Sequence, residues 1–362
     1  MSVAGFFSCL IRPYRYQFEH TFRGGSLGQA LVLKIAQPAT GLEPENSRPG
    51  LVSVAGNPTP ADATLQWLDS SGVQLRCARW PASTKQVRGT VCLIQGRTEY
   101  IEKYYEVIAD LRGRGFAVLA FDFRGQGGSD RLLHQPERGH VDTLSDYVSD
   151  LEAVMSEILL PECPAPFYAL AHSMGAAVML HSLDKGRLVF DRVVLTAPMI
   201  GLGLKRPRQK VVARTARFLN GFGLGERRMP FASQTNYETL NMDRNILTSD
   251  PDRFQNSVRL LRKAPFLKIG APTVGWVHAA CQAMEGFRNP EFAFNNRTPV
   301  LVVASGSDEV VSLEAIEKLA SVMRSLWHIV VPGARHEILQ ERDMFRDQFW
   351  AAFDAFIPGT DI

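Results

Sequence analysis

The feature that most constrains this chain is a pentapeptide, Ala171-His172-Ser173-Met174-Gly175, wedged between an apolar run and an amphipathic one. Residues 167–171 read as a buried strand and residues 174–183 as a helix, so the backbone must reverse within a very short turn. Such a turn tolerates only small residues two before and two after the serine, and Ala171 and Gly175 satisfy that. It exposes the serine hydroxyl at a helix N-terminus, where backbone N–H groups without intrahelical partners favour negative charge. The string alone is a weak signal. Its position between strand and helix makes Ser173 a candidate nucleophile.

The rest of the chain repeats the same alternation. Strands are predicted at residues 73–80, 89–94, 116–121, 192–196, 299–304 and 326–331, and helices at 101–112, 144–160, 313–323 and 343–356. Continuous apolar strands separated by helices require a mostly parallel sheet covered on both faces, an α/β architecture. The alternation breaks from about residue 200 to 296, where the pattern is helical. An insertion after the strand ending near Ala197 would sit above the strand ends, where α/β sheets bind ligands, and reads as a cap. Residues 1–60 differ again. The stretch 37–61 is rich in Pro, Gly, Asn, Ser and Ala, and predicts an N-terminal arm or linker, partly disordered, ahead of one domain at 61–362. A start codon downstream of that arm is an alternative reading.

Composition narrows the classes. A net charge of +3 with no dominant Lys/Arg block argues against nucleic-acid binding. The five cysteines, Cys9, Cys77, Cys92, Cys163 and Cys281, are odd in number and lack C-x-x-C spacing, which fits reduced thiols in a cytoplasmic compartment. No run is long and apolar enough to cross a membrane, and the N-terminus lacks the basic leader and cleavage pattern of a secretory signal. No metal-ligand cluster or nucleotide fingerprint is present, so no cofactor is expected.

An acid and then a histidine should follow a nucleophile of this type. Asp308 follows the strand PVLVVASGS, and His336 lies on a loop after the next strand, SLWHIVVPGAR. Both map to the rim where Ser173 emerges, with His336 as general base and Asp308 holding its tautomer. Other readings stay open: Asp308 also suits a cap for the helix near Ser312, Glu309 and Glu337 are neighbouring acids, and His336 also suits a solvated loop. His328, inside an apolar strand, reads as structural. The loop Gln95-Gly96-Arg97-Thr98-Glu99-Tyr100 follows another strand and predicts one oxyanion donor at the Arg97 N–H, with Met174 N–H as the second. The glycine-rich Asp122-Phe123-Arg124-Gly125-Gln126-Gly127-Gly128-Ser129 fits neither phosphate-binding nor dinucleotide patterns and reads as a turn beneath the site.

With these residues in hand, the chain resembles the monoacylglycerol lipase and bacterial lysophospholipase group of α/β hydrolases, often labelled serine-aminopeptidase-like. The matching pieces are QGRTEYIEKY, FDFRGQGGSDR, LAHSMG, NILTSD, SGSDEVVS and GARHEILQERD, and they run from about residue 65 to the C-terminus. The resemblance implies the α/β-hydrolase fold and hydrolysis of a carboxylic ester, with a monoacyl lipid as substrate. Two departures stand out: Gln95 where many relatives have His, and Arg97 where monoacylglycerol lipases carry a small residue.

The cap opens with Lys205, Arg206, Arg208, Lys210, Arg214 and Arg217, with no acid between them and with Val211, Val212, Phe218 and Leu219 interspersed. A basic helix with an apolar face can rest on an anionic membrane surface; packing on the core with a solvated basic face is the plainer reading. His172, Trp276 and His278 are candidate substrate contacts. Two rival functions remain at this level. An aminopeptidase or amidase would use an acid such as Glu99 or Glu285 to hold an amino terminus, and a non-catalytic binding protein would keep only the fold.

Overall fold

The computed structural model describes residues 48–184, 189–204, 206–230, 232 and 241–357. Its centre is an eight-stranded sheet built from Thr64–Ser70 (β1), Val73–Trp80 (β2), Thr90–Ile94 (β3), Ala117–Phe121 (β4), Phe167–His172 (β5), Arg192–Thr196 (β6), Val300–Ser305 (β7) and Leu326–Val331 (β8). The order is β1-β2-β4-β3-β5-β6-β7-β8. β2 pairs antiparallel with both β1 and β4, and every later pairing is parallel. This is the α/β-hydrolase fold.

Every residue of β3, β4 and β7 is buried, as expected of parallel strands covered on both faces. Successive side chains alternate between two cores. Cys92 and Ile94 pack with Leu144–Val154 (α2), Ser173–Asp184 (α4), Val274–Gly286 (α7) and Leu313–Val322 (α9). Val91 and Leu93 pack on the opposite face with Tyr105–Gly113 (α1) and Asp343–Phe356 (α10). The helix expected at 144–160 is interrupted: α2 passes into a π-helical turn at Met155–Leu159 before Leu160–Glu162 (α3). The helix expected at 101–112 begins as a 3₁₀ turn at Ile101–Tyr104.

Three features depart from the sequence reading. β1 was not anticipated; it is a half-buried outer strand with a weak apolar pattern. His328 is exposed rather than structural, because β8 closes the sheet as an edge strand and leaves Trp327 and Ile329 facing outward as well. The expected arm lies outside the described residues up to residue 47, but residues 48–60 are ordered against the domain, so the packed unit begins earlier than residue 61. Asn57 Nδ2 donates to the Glu102 carbonyl at 2.8 Å, Trp80 Nε1 donates to that of Pro60 at 3.2 Å, and Val52 and Val54 pack beside Leu260 and Leu261. These partners are distant along the chain, which local composition cannot register.

Between β6 and β7 the chain forms Arg206–Gly221 (α5), Pro251–Lys263 (α6), α7 and Pro290–Asn295 (α8). Part of this cap, residues 205, 231 and 233–240, lies outside the described set, including Lys205. Ala216 is buried and Val212 and Leu219 turn toward the core, whereas Arg208, Lys210, Val211, Arg214, Arg217 and Phe218 are exposed. None of the helices, among the described residues, is long and apolar enough to cross a membrane.

Arg76 of β2 is fully buried, pairing with Glu102 at 2.8 Å and Asp122 at 2.6 Å. Its Nη1 also donates to the Gly50 carbonyl at 3.1 Å, tying the N-terminal segment to the sheet. Removing one member of a buried ion network leaves uncompensated charge, typically costing about 3–5 kcal/mol. Arg76→Met should therefore lower the free energy of urea unfolding by about that amount; an unchanged midpoint and slope would show that the network contributes nothing.

Candidate active site

Ser173 opens α4 directly after β5 with φ of +51°, a region that non-glycine residues adopt only where their surroundings impose it. The imposing contact is the approach of α4 to the end of β3. A Cβ on Gly175 would lie 2.3 Å from the Gln95 carbonyl oxygen and 2.6 Å from that of Ile94, so only glycine lets the helix start this close.

The structure brings three of the expected residues together. Ser173 Oγ lies 3.0 Å from His336 Nε2, and His336 Nδ1 lies 2.7 Å from Asp308 Oδ2. An ionised carboxylate can only accept, which assigns the ring proton to Nδ1 and leaves Nε2 to accept from the serine hydroxyl. Asp308 Oδ1 accepts from Val310 N at 2.7 Å and Val311 N at 3.0 Å. The helix cap once open to Asp308 belongs to Ser312, whose side chain accepts from Ala315 N. Burial opposes the charge on Asp308, but the bond to His336, its charge and the two amides outweigh it and hold the carboxyl below its ordinary range. Glu309 points to solvent. Glu337 is ion-paired with Lys103 at 2.6 Å.

His172 lies beside the triad rather than in contact with solvent. It is 4 % exposed, its Nδ1 sits 2.9 Å from Thr196 Oγ1, and its ring centroid is 4.9 Å from that of His336. Burial, reinforced by the neighbouring His336 and Lys103, lowers its pKa to about 4 against the pull of Glu99, so the ring is neutral near pH 7. Trp276 and His278 both lie on α7, the first buried and the second half-buried. Among the described residues no hydrogen bond joins either to Ser173, His336 or Asp308.

The 95–100 loop is held from beneath. Gly96 N donates to Glu99 Oε2 at 2.5 Å and Thr98 N to Gln126 Oε1 at 2.9 Å, which pins the backbone on both sides of Arg97. Asp122 Oδ1 accepts from Gln95 Nε2 at 3.1 Å and Ile101 N at 3.0 Å. Its Oδ2 accepts from Arg76 Nε at 2.8 Å and Gly128 N at 2.7 Å. Gly127 has φ of +51°, and a Cβ there would fall 2.1 Å from Asp122 Cγ. The glycine-rich segment is therefore a clamp on the loop. The Arg97 side chain reaches the cap: its Nη2 donates to the Gly270 carbonyl at 2.8 Å and its guanidinium lies 4.9 Å above the Trp276 ring. Met174, the other expected donor, follows Ser173 in the first turn of α4.

Sequence reasoning named Glu99 and Glu337 but missed Lys103, which joins them behind this loop. Lys103 bridges Glu99 at 3.0 Å and Glu337 at 2.6 Å, and all three side chains are nearly excluded from solvent. Burial works against the charge on Glu99, but Lys103, His172 and Tyr104 outweigh it and lower its pKa to about 2. A run such as Glu99 to Lys103 reads in sequence as an ordinary i,i+4 surface pair. Among the described residues no group of His, Cys, Asp and Glu is placed to hold a metal ion. Cys77, Cys92, Cys163 and Cys281 are free thiols.

Comparison with known proteins agrees with this architecture. The family model described as serine aminopeptidase, S33, matches residues 85–343. The chain is 34% identical to lysophospholipase L2 of Escherichia coli K12, over 71% of this chain and 76% of that protein. It is 30% identical to a probable lysophospholipase L2 of Haemophilus influenzae, over 75% of this chain and 84% of that one. Among solved structures, a soluble variant of the Saccharomyces cerevisiae monoglyceride lipase superposes with a TM-score of 0.64 at 20% identity, covering 82% of this chain and 95% of that one. A carboxyl esterase from Bacillus coagulans gives 0.65 at 19% identity, covering 83% and 99%; these two likenesses concern the fold. From the extent of the family match and the identity to the lysophospholipases, the chain belongs to the serine aminopeptidase S33 family of α/β hydrolases and is a carboxylic ester hydrolase.

Proposed function

We propose that the chain hydrolyses the ester bond of a monoacyl lipid, a lysophospholipid or a monoacylglycerol, through an acyl-enzyme on Ser173. The carrying observation is the unbroken hydrogen-bonded line from Ser173 Oγ through His336 to Asp308. His336 Nε2 takes the hydroxyl proton as Oγ bonds to the ester carbonyl carbon. The resulting oxyanion is stabilised by the N–H groups of Arg97 and Met174. Collapse breaks the ester C–O bond, and the proton on His336 passes to the departing glyceryl oxygen. Water then attacks the acyl carbonyl, giving its proton to His336, which returns it to Ser173 as the fatty acid leaves. Asp308, held ionised, stabilises the imidazolium at both steps. His172 serves as a neutral wall behind the base, and Trp276 and His278 on α7 as the acyl-facing side of the cap.

Similarity to the lysophospholipases L2 supports the lipid substrate. The aminopeptidase alternative lacks support at Glu99, whose oxygens already accept from Gly96 N, Tyr104 and Lys103, and at Glu285, which is exposed on α7. Contact with an anionic membrane, through the cap, is part of the same reading. Val211 and Phe218 are each 64 % exposed and Phe222 is 70 % exposed, beside exposed Arg208, Lys210, Arg214 and Arg217. Aromatic rings over a basic face match the two components of interfacial binding, apolar burial and attraction to anionic lipid.

On a panel of lysophospholipids, monoacylglycerols and short aryl esters, Ser173→Ala should abolish turnover and labelling by a fluorophosphonate probe. Asp308→Asn should cost kcat about 10⁴-fold by analogy with other triads, whereas Glu309→Ala stays near wild type. Equal damage from Glu309→Ala would mean that the acid is misassigned. A wild-type protein that carries no adduct after fluorophosphonate treatment would point to a binding role. In flotation, vesicles containing anionic lipid should recover more protein than neutral ones, and reversing Arg208, Arg214 and Arg217 to Glu should erase the difference. Equal recovery with both vesicle types from the outset would remove the membrane contact.

A further inference from the structure

Outside the triad, a cluster of buried charge lies directly behind it. Lys103 stands one helical turn after the 95–100 loop, with its ammonium between Glu99 Oε1 at 3.0 Å and Glu337 Oε1 at 2.6 Å. Each carboxylate belongs to a different part of the site. Glu99 accepts from the Gly96 amide at 2.5 Å and from the Tyr104 hydroxyl at 2.6 Å, so its position sets that of the backbone leading into Arg97. Glu337 is the residue after His336, and its own N–H donates to the Leu247 carbonyl of the cap at 2.8 Å. The backbone carbonyl of Lys103 in turn accepts from Gln340 Nε2 at 3.0 Å, further along the same loop. The His172 ring fills the space between, against Gly96 on one side and His336 on the other.

We propose that Lys103 is a positioning residue for ester hydrolysis, tying the loop that offers the Arg97 amide to the loop that carries the general base. The proposal rests on the serine-hydrolase reading above. The chemistry demands that the oxyanion donor and Nε2 of His336 hold fixed positions around one carbonyl, although they come from β3 and β8, which are not neighbours in the sheet. A buried ammonium between two carboxylates is stiff, because letting either bond lengthen exposes charge to a medium that cannot solvate it. Burial alone would disfavour the ammonium, but Glu337 and Glu99 outweigh it and hold Lys103 protonated. Lys103 does not touch the reacting atoms; it acts through the two loops.

The test is steady-state kinetics of the full chain on a short aryl ester, well below the melting temperature, for Lys103→Met, Glu337→Gln and the double variant. Misplacement of about 1 Å can cost 10²-fold, so Lys103→Met should lose about 10- to 100-fold in kcat with little change in KM. Glu337→Gln should lose less, and the double variant should be no worse than Lys103→Met, because both changes cut one bridge. Multiplying losses, or a folded Lys103→Met with kcat near wild type, overturns the proposal. Should Lys103→Met not fold, Glu337→Gln decides, since it keeps the Lys103–Glu99 pair, and an unchanged kcat there also overturns it. Labelling of wild-type Ser173 by a fluorophosphonate separates the two levels: no adduct sinks the hydrolase reading, whereas an adduct with unaffected variants sinks only the role of Lys103.

Discussion

One imidazole has to meet two partners at once. His336 reaches Ser173 with one nitrogen and Asp308 with the other, and each of the three side chains enters from a different strand end. β5, β7 and β8 run in the same direction within a sheet ordered β5-β6-β7-β8. Their carboxyl ends therefore share one edge, and loops leaving that edge converge without any long excursion. The apolar cores on both faces matter to function through this constraint, since parallel strands hold their order only when both faces are covered.

Beneath that edge lies a layer of buried charge, where the low dielectric makes each polar contact strong and each missing one costly. Asp122 accepts from Gln95, Ile101, Arg76 and Gly128, while Gln126 and Glu99 take the amides on either side of Arg97. The backbone around the proposed oxyanion donor, the Arg97 N–H, is thus held by side chains from β2, from the segment that follows β4 and from the loop itself. A donor that must be in place before charge develops gains from such prior restraint, because no reorganisation is left to the moment of reaction.

Much of this was legible in the sequence, for identifiable reasons. The turn at Ser173 announces itself because strand and helix periodicities meet across residues too small to obstruct it. The positions of Asp308 and His336 follow from the alternation, since residues after parallel strands must appear at the same edge. The glycines at 125, 127 and 128 were readable as a turn, although not as a clamp. What was hidden depends on partners far along the chain. Arg76 looks like one polar residue in a strand, and Lys103 like a surface pair with Glu99, until Glu102, Asp122 and Glu337 arrive from elsewhere. Residues 48–60 carry a linker's composition yet are held by Glu102, Arg76 and Trp80. His328 sits in an apolar run but on the last strand of the sheet, and edge position is a property of topology rather than of local pattern.

The cap adds the remaining element, packed against the loop that carries Arg97. Arg97 contacts it through Gly270 and Trp276, so the residue proposed to offer the oxyanion amide also touches the cap. All of this has catalytic meaning only if Ser173 becomes acylated. Rapid quenching during turnover of an aryl ester, followed by intact mass and peptide mapping, measures that directly. The expected result is a transient mass increase equal to the acyl group, carried by the peptide containing Ser173. An acyl group on another residue, or steady turnover with neither adduct nor burst under conditions where deacylation is made limiting, would contradict it.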